Sequence, residues 1–250
     1  MKNILQVLKN LIAFAVLCIS PMCIFSVIEY AITGDVSRTF EYIAIVTLIG
    51  AVLSVAVFSS QKAVSISIGK PKIRFMISIL GIGITSKQCI LYLLGLTIGV
   101  NVTGSFDTSF FSLLSMLLLS PFSEEIIFRG VLTDLLNPQK SKSKISFIVV
   151  VLISSLIWTA VHLHGASVAS LLLFIDGVIM TAIYLKYRNL VLTVLYHSAL
   201  NASMLMVGIL NETHYGIAMG ICAAILLASI WNLIHMKNAS AADLECNTKI

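Results

Sequence analysis

From end to end the chain alternates long apolar runs with short polar breaks. Eight runs reach or approach the roughly 20 residues that a helix needs to cross a bilayer. They cover approximately Leu8 to Ala31, Thr39 to Ser60, Ile84 to Val100, Ser109 to Leu136, Lys144 to Leu163, Ser167 to Lys186, Leu190 to Leu210 and Gly216 to Met236. The pattern predicts an all-α fold: a polytopic membrane protein of about eight transmembrane helices. One transmembrane domain is expected over residues 1–237, with a short disordered cytoplasmic tail over 238–250. Pro71 to Gly83, just before the third run, reads as a short interfacial helix. The first run is too long and too lightly flanked for a removable signal peptide, so it is expected to stay attached. No internal repeat or soluble domain is visible.

Composition agrees. A soluble domain carries roughly 25% charged residues, whereas this chain carries 11%, with 58% hydrophobic and a mean hydropathy of +1.02. The net charge of +5 raises the question of nucleic acid, but the cations are spread over loops that flank spans instead of forming one basic stripe. They follow the rule that cationic loops stay cytoplasmic. Lys2 and Lys9 flank the first span; Lys62, Lys70, Lys72 and Arg74 fill the second connection; Lys140, Lys142 and Lys144 fill the fourth; Lys186 and Arg188 fill the sixth; Lys237 follows the last span. The other connections hold Asp35, Glu41, Asp107 and Glu212, with Arg38 as their cation. A multi-pass protein of the cell membrane with both termini cytoplasmic is expected, with lipid as a partner and no nucleic acid. The five cysteines show no CxxC spacing, and Cys246 is fifth from the end, whereas a CaaX box needs the cysteine fourth.

A charge at the centre of a bilayer costs at least about 2.5 to 3.5 kcal/mol, so one inside a span is a functional candidate. The fourth span contains Ser123-Glu124-Glu125-Ile126-Ile127-Phe128-Arg129-Gly130, the fifth ends at Trp158-Thr159-Ala160-Val161-His162, and the seventh contains His197-Ser198-Ala199-Leu200-Asn201. On a helix Glu125 and Arg129 share a face and can pair, while Glu124 is turned about 100° away. That leaves Glu124 as the carboxylate suited to take a proton from water. Trp158 and His162 share a face, as do His197 and Asn201; imidazole and amide together can orient water and donate to an oxyanion. The bland readings stand beside these. An isolated membrane Glu–Arg pair is often structural glue, Trp158 reads as a wall of the pocket, and His164, His214 and His235 read as interfacial. Asp176, before Gly177, is left without a role.

These residues resemble the CAAX prenyl protease type II family, also called the CPBP or Abi family of intramembrane proteases. Its pattern is Glu-Glu-x-x-x-Arg, Phe-x-x-x-His and His-x-x-x-Asn or Asp on three membrane helices. Here it reads Glu124-Glu125-x-x-x-Arg129, Trp158-x-x-x-His162 and His197-x-x-x-Asn201. The likeness covers about 109–210. Gly177, Tyr184 and Asn189 also fit it, while Trp158 stands where phenylalanine is usual and Thr181 where glycine is often found.

The resemblance implies a helical bundle with its active site within the membrane and an endopeptidase that acts through a glutamate-activated water. It implies Glu124 as general base, His162 as its water-positioning partner, His197 and Asn201 as oxyanion donors, and Glu125 with Arg129 in support. Relatives are linked to peptide-signal processing and bacteriocin self-immunity. The cofactor stays open: Glu124, His162 and His197 could make a His2Glu zinc site, but there is no His-Glu-x-x-His, and the reading leans to metal-free catalysis. A non-catalytic immunity or scaffold protein is the alternative, and a small transporter a third. One geometric tension remains. At 1.5 Å per residue Glu124 lies ~20 Å from Asn137, His162 ~27 Å from Lys144 and His197 ~11 Å from Leu190, so tilted or projecting fourth and fifth helices are expected.

Overall fold

The computed structural model describes residues 2–33, 39–61, 63–69, 71–98, 110–137, 143–162, 167–209 and 215–247. Their regular structure is helical throughout, in eight continuous rods: α1 (2–33), α2 (Thr39–Ser60), α3 (Ile73–Ile98), α4 (Phe110–Leu136), α5 (Lys144–Val161), α6 (Val168–Tyr187), α7 (Leu190–Ile209) and α8 (Tyr215–Asn247). Among the described residues five helices are long and apolar enough to cross a membrane: α4, α5 and α6 over their whole lengths, and stretches of α3 and α8. Shorter apolar stretches lie in α1 (Leu8–Ile19), α2 (Ala44–Ser60) and α7 (Leu190–Leu205). Ile12, Val16, Leu53, Leu156, Leu171 and Leu227 stand exposed. So much bare aliphatic surface is a liability in water and the natural outer face of a protein dissolved in lipid.

Two boundaries differ from the sequence reading. The third helix begins at Ile73, so most of the stretch expected to be a separate interfacial helix is the first turns of α3. The last helix runs to Asn247 through Ala-Ser-Ala-Ala-Asp-Leu-Glu-Cys, where a disordered tail was expected. Alanine, leucine and glutamate are good helix formers, and a helix already nucleated by α8 extends into them at one hydrogen bond per residue.

The chain divides into two compact units, residues 1–70 with 108–194, and 71–107 with 195–250. In the first unit both α1 and α4 hold a proline inside the rod, which removes an N–H and clashes with the carbonyl four residues back. Each rod solves this in the same way. A wide turn with five-residue hydrogen bonds, Ala15–Ile19 and Ser115–Leu119, comes just before Pro21 and Pro121, and the residue ahead of each proline bonds back to Ala15 O or Ser115 O. The carbonyl of Leu17, four residues before Pro21, faces Gly50 of α2, where a Cβ would come to 3.2 Å of it. A third wide turn, Ile126–Leu132, follows Glu125, and the Phe128 carbonyl within it accepts the Ser154 hydroxyl of α5 at 3.3 Å. Such turns in membrane helices keep backbone groups satisfied while re-aiming side chains.

The extended segment 63–69 is tied to the ends of α4 and α6. Buried Asp134 accepts from the Ser65 amide at 2.8 Å and from both terminal nitrogens of Arg188, at 2.8 and 3.2 Å. Arg188 also donates to Ser65 O, and the Leu190 amide donates to Ser67 O. Arg188 caps α6 with a left-handed backbone, φ 47°. This charged clasp brings Ile66 against Gly130, one turn beyond the candidate carboxylates.

In the second unit α3 and α8 pack closely through small residues, the usual means of helix association in lipid. Gly81 lies directly under Ser229, and Asn232 Nδ2 donates to Ser78 Oγ at 2.7 Å and to the Arg74 carbonyl at 3.3 Å. Gly83 meets Ala199 and Tyr196 of α7, and Gln88 donates to the Ser203 carbonyl.

Replacing Arg188 separates the clasp from its strained backbone. Arg188→Ala should lower the thermal midpoint of the detergent-solubilised protein, equivalent to about 1.5–3 kcal/mol for lost charge-assisted hydrogen bonds. Arg188→Gly should recover roughly 1 kcal/mol of that, because glycine adopts positive φ without the Cβ clash. Equal midpoints for wild type and Arg188→Ala would contradict the clasp.

Candidate active site

Glu124 and Glu125 are neighbours in sequence with opposite surroundings. Glu125 is fully buried, and its Oε1 pairs with Arg129 Nη1 at 3.0 Å one turn on, also fully buried, as the i,i+4 spacing requires. The Cζ of Arg129 lies 4.8 Å from the centroid of the Trp158 ring, a cation–π contact strengthened by the absence of water. Arg129 Nε and Nη2 make no hydrogen bond among the described residues, and the indole face stands in their place. Glu124 and Asp176 add their charges to that of Glu125 around the same guanidinium. Asp176, without a role in the sequence reading, is thus part of the electrostatic shell of Arg129.

Glu124 turns to a different set of partners. Its Oε1 accepts the Ser120 hydroxyl at 2.6 Å, and its Oε2 accepts the indole N–H of Trp158 at 3.0 Å. Oε2 also lies 3.6 Å from His162 Nε2. The Glu124 side chain keeps 12% of its exposure and that of His162 27%, so neither is sealed inside the bundle. The other ring nitrogen of His162, Nδ1, lies 2.8 Å from the Trp158 carbonyl. A carbonyl can only accept, so Nδ1 carries a hydrogen and Nε2 is the nitrogen left to exchange a proton at Glu124.

The ~7 Å offset in helical height between Glu124 and His162 is taken up by side chains. Trp158 lies ~21 Å above Lys144 by the helical rise, level with Glu124 at ~20 Å above Asn137. His162 caps α5 one turn further on. Its Cβ leans toward the helix N-terminus, which carries the ring back over Trp158 at 4.7 Å between centroids. Gly177 of α6 makes room for this stack: a Cβ there would come to 3.1 Å of both Trp158 Cε3 and Ser155 Cβ.

The first unit therefore gathers Glu124, Glu125, Arg129 and His162 with Ser120, Trp158 and Asp176. His197 and Asn201 sit one turn apart on α7 in the second unit, His197 buried and Asn201 half-buried. His164 and His214 lie outside the described residues; His235 is exposed and its Nδ1 lies 3.3 Å from the Trp231 carbonyl. Sequence reasoning missed Ser120 and gave Trp158 only a packing role, although matching helical heights for Glu124 and Trp158 could have revealed the contact. A catalytic zinc takes three protein ligands and an open position. Among the described residues no three of His, Cys, Asp and Glu are grouped to hold a metal ion, and the Trp158 N–H donates to Glu124 Oε2.

Residues 106–203 match the family model described as type II CAAX prenyl endopeptidase Rce1-like. This span holds Glu124, Glu125, Arg129, Trp158, His162, His197 and Asn201. No curated protein and no solved structure matches the chain.

The two acids should separate on mutation. Arg129→Met strands the buried Glu125 carboxylate and should destabilise the protein by about 3–5 kcal/mol. Glu124→Gln, whose partners include neutral donors and solvent, should leave the thermal midpoint nearly unchanged. Equal losses in a detergent unfolding assay would show that the two carboxylates share one environment.

Proposed function

With residues 106–203 belonging to the Rce1-like type II CAAX prenyl endopeptidase family, we propose that the protein is an intramembrane endopeptidase. It hydrolyses peptide bonds of membrane-associated peptides or proteins by water activated at Glu124. The observation that carries this reading is the approach of Glu124 Oε2 to His162 Nε2 at 3.6 Å, with both side chains partly accessible.

The separation is too long for a direct hydrogen bond and suits a water beside the pair, donating one hydrogen to the carboxylate and the other to Nε2. As the water oxygen attacks the peptide carbonyl, Glu124 takes the proton, a C–O bond forms and the carbonyl π pair moves to oxygen. Glu124 then gives the proton to the departing amine as the C–N bond breaks, so it ends the cycle ionised. His197 and Asn201 enter on the motif alone: we assign them to hydrogen bonds that strengthen as the oxyanion forms. Glu125 takes the direct ion pair with Arg129, which leaves the Glu124 carboxylate to the indole, hydroxyl and imidazole around it. The basic loops support an orientation with both termini in the cytoplasm. Processing of a peptide signal or self-protection against a bacteriocin fits a substrate delivered from the membrane.

The test is peptide-cleavage profiling by mass spectrometry with the protein in proteoliposomes. Glu124→Gln should reduce cleavage by about 10²–10⁴-fold, the usual contribution of a general base, with an unchanged thermal midpoint. Cleavage at the wild-type rate by this variant would reject the assignment.

A further inference from the structure

We infer that Trp158 is a positioning residue for Glu124: its indole N–H fixes the carboxylate so that Oε2 faces His162. This rests on the reading of Glu124 as the base, and it gives Trp158 work that phenylalanine could not do.

A carboxylate on a three-bond side chain has free rotors, and a water held between it and an imidazole needs one rotamer. Donors from two helices bear on that rotamer. The Ser120 hydroxyl comes from one turn earlier on the same helix and takes Oε1 at 2.6 Å. The indole N–H comes from α5 and takes Oε2 at 3.0 Å. Ser120 can follow Glu124 through any motion of α4; Trp158 ties the carboxylate to the helix that carries His162. Trp158 itself has little freedom. It is 2% exposed, with Arg129 on its ring face, Gly177 at its Cε3 edge and the His162 ring at 4.7 Å. One rigid indole therefore holds the base through its N–H and touches the imidazole through its ring, while its backbone carbonyl sets the His162 tautomer. A tryptophan serving only to fill space has no need of a carboxylate at its N–H.

The chain has two tryptophans, and the other, Trp231, is exposed on α8, so indole 15N–1H spectra of the labelled protein in micelles contain two signals. Trp158→Phe assigns them by loss. Glu124→Ala should move the Trp158 N–H proton upfield, as expected when an ionic acceptor is removed, and leave the Trp231 signal in place. In cleavage assays Trp158→Phe should lower kcat by on the order of 10-fold or more, the scale of one hydrogen bond to a charged group, with KM and the thermal midpoint little changed. A Trp158 signal that ignores Glu124→Ala overturns the inference whatever the activity. A full kcat in Trp158→Phe overturns it even if the signal moves, since the bond would then be structural only. If Trp158→Phe fails to fold, Gly177→Ala, whose added Cβ would come to 3.1 Å of Trp158 Cε3 and so displaces the indole without removing its N–H, replaces it: kcat should fall as the indole signal moves, and a kcat that stays level while the signal moves overturns the inference. A wild-type protein that cleaves nothing sinks the protease reading instead, while the spectra still decide whether the indole binds the carboxylate.

Discussion

A guanidinium buried inside a bundle of membrane helices is the constraint around which the first unit is built. Arg129 has no exposed surface and no water from the hydrocarbon to solvate it, so its charge must be met by protein. Glu125 meets it from the same helix, the face of Trp158 from α5, and the charge of Asp176 from α6. Arg129 thereby ties α4 to α5, and α6 adds a charge nearby. The same arrangement uses up Glu125 and leaves Glu124 on the adjacent face, with hydroxyl, indole and imidazole for neighbours. Two adjacent acids acquire two jobs because a helix turns about 100° between them.

The helices reach this point by departing from regularity. Pro121 cannot continue the hydrogen-bond ladder, and the wide turn before it lets α4 carry on without stranding its carbonyls. A second wide turn begins immediately after Glu125 and contains Arg129, and its loosened Phe128 carbonyl is taken up by Ser154. Above this, the Asp134–Arg188 clasp fixes the ends of α4 and α6 and draws segment 63–69 over them. These are polar solutions placed where a helix is interrupted or ends, while the rest of the surface is aliphatic.

The helical architecture was legible because lipid demands long apolar segments with satisfied backbones, and eight of them can be counted in the sequence. The ends were less legible. Pro71 to Gly83 reads as a helix separate from the span it in fact begins, and beyond Met236 residues polar enough to read as tail are good enough helix formers to extend an existing rod. Within the site, the Glu125–Arg129 pair followed from spacing on one helix. The Trp158–Glu124 hydrogen bond did not, because it joins two helices and depends on their relative height. Likewise Asp134 and Arg188 are 54 residues apart, and periodicity has nothing to say about such a pair. Trp158 looked like a conservative aromatic exchange, since pattern reading weighs ring size and overlooks an N–H.

What distinguishes a catalytic pair from two polar residues that happen to meet is that each is useless without the other. If Glu124 and His162 hold one water between them, removing either destroys that geometry, and removing the second adds little. The most direct measurement is a double-mutant cycle on cleavage rate under saturating substrate, with Glu124→Gln, His162→Asn and the combined variant. The account predicts that the combined variant is no slower than the worse single one. Losses that multiply across the cycle would show two independent contributions and contradict a shared water.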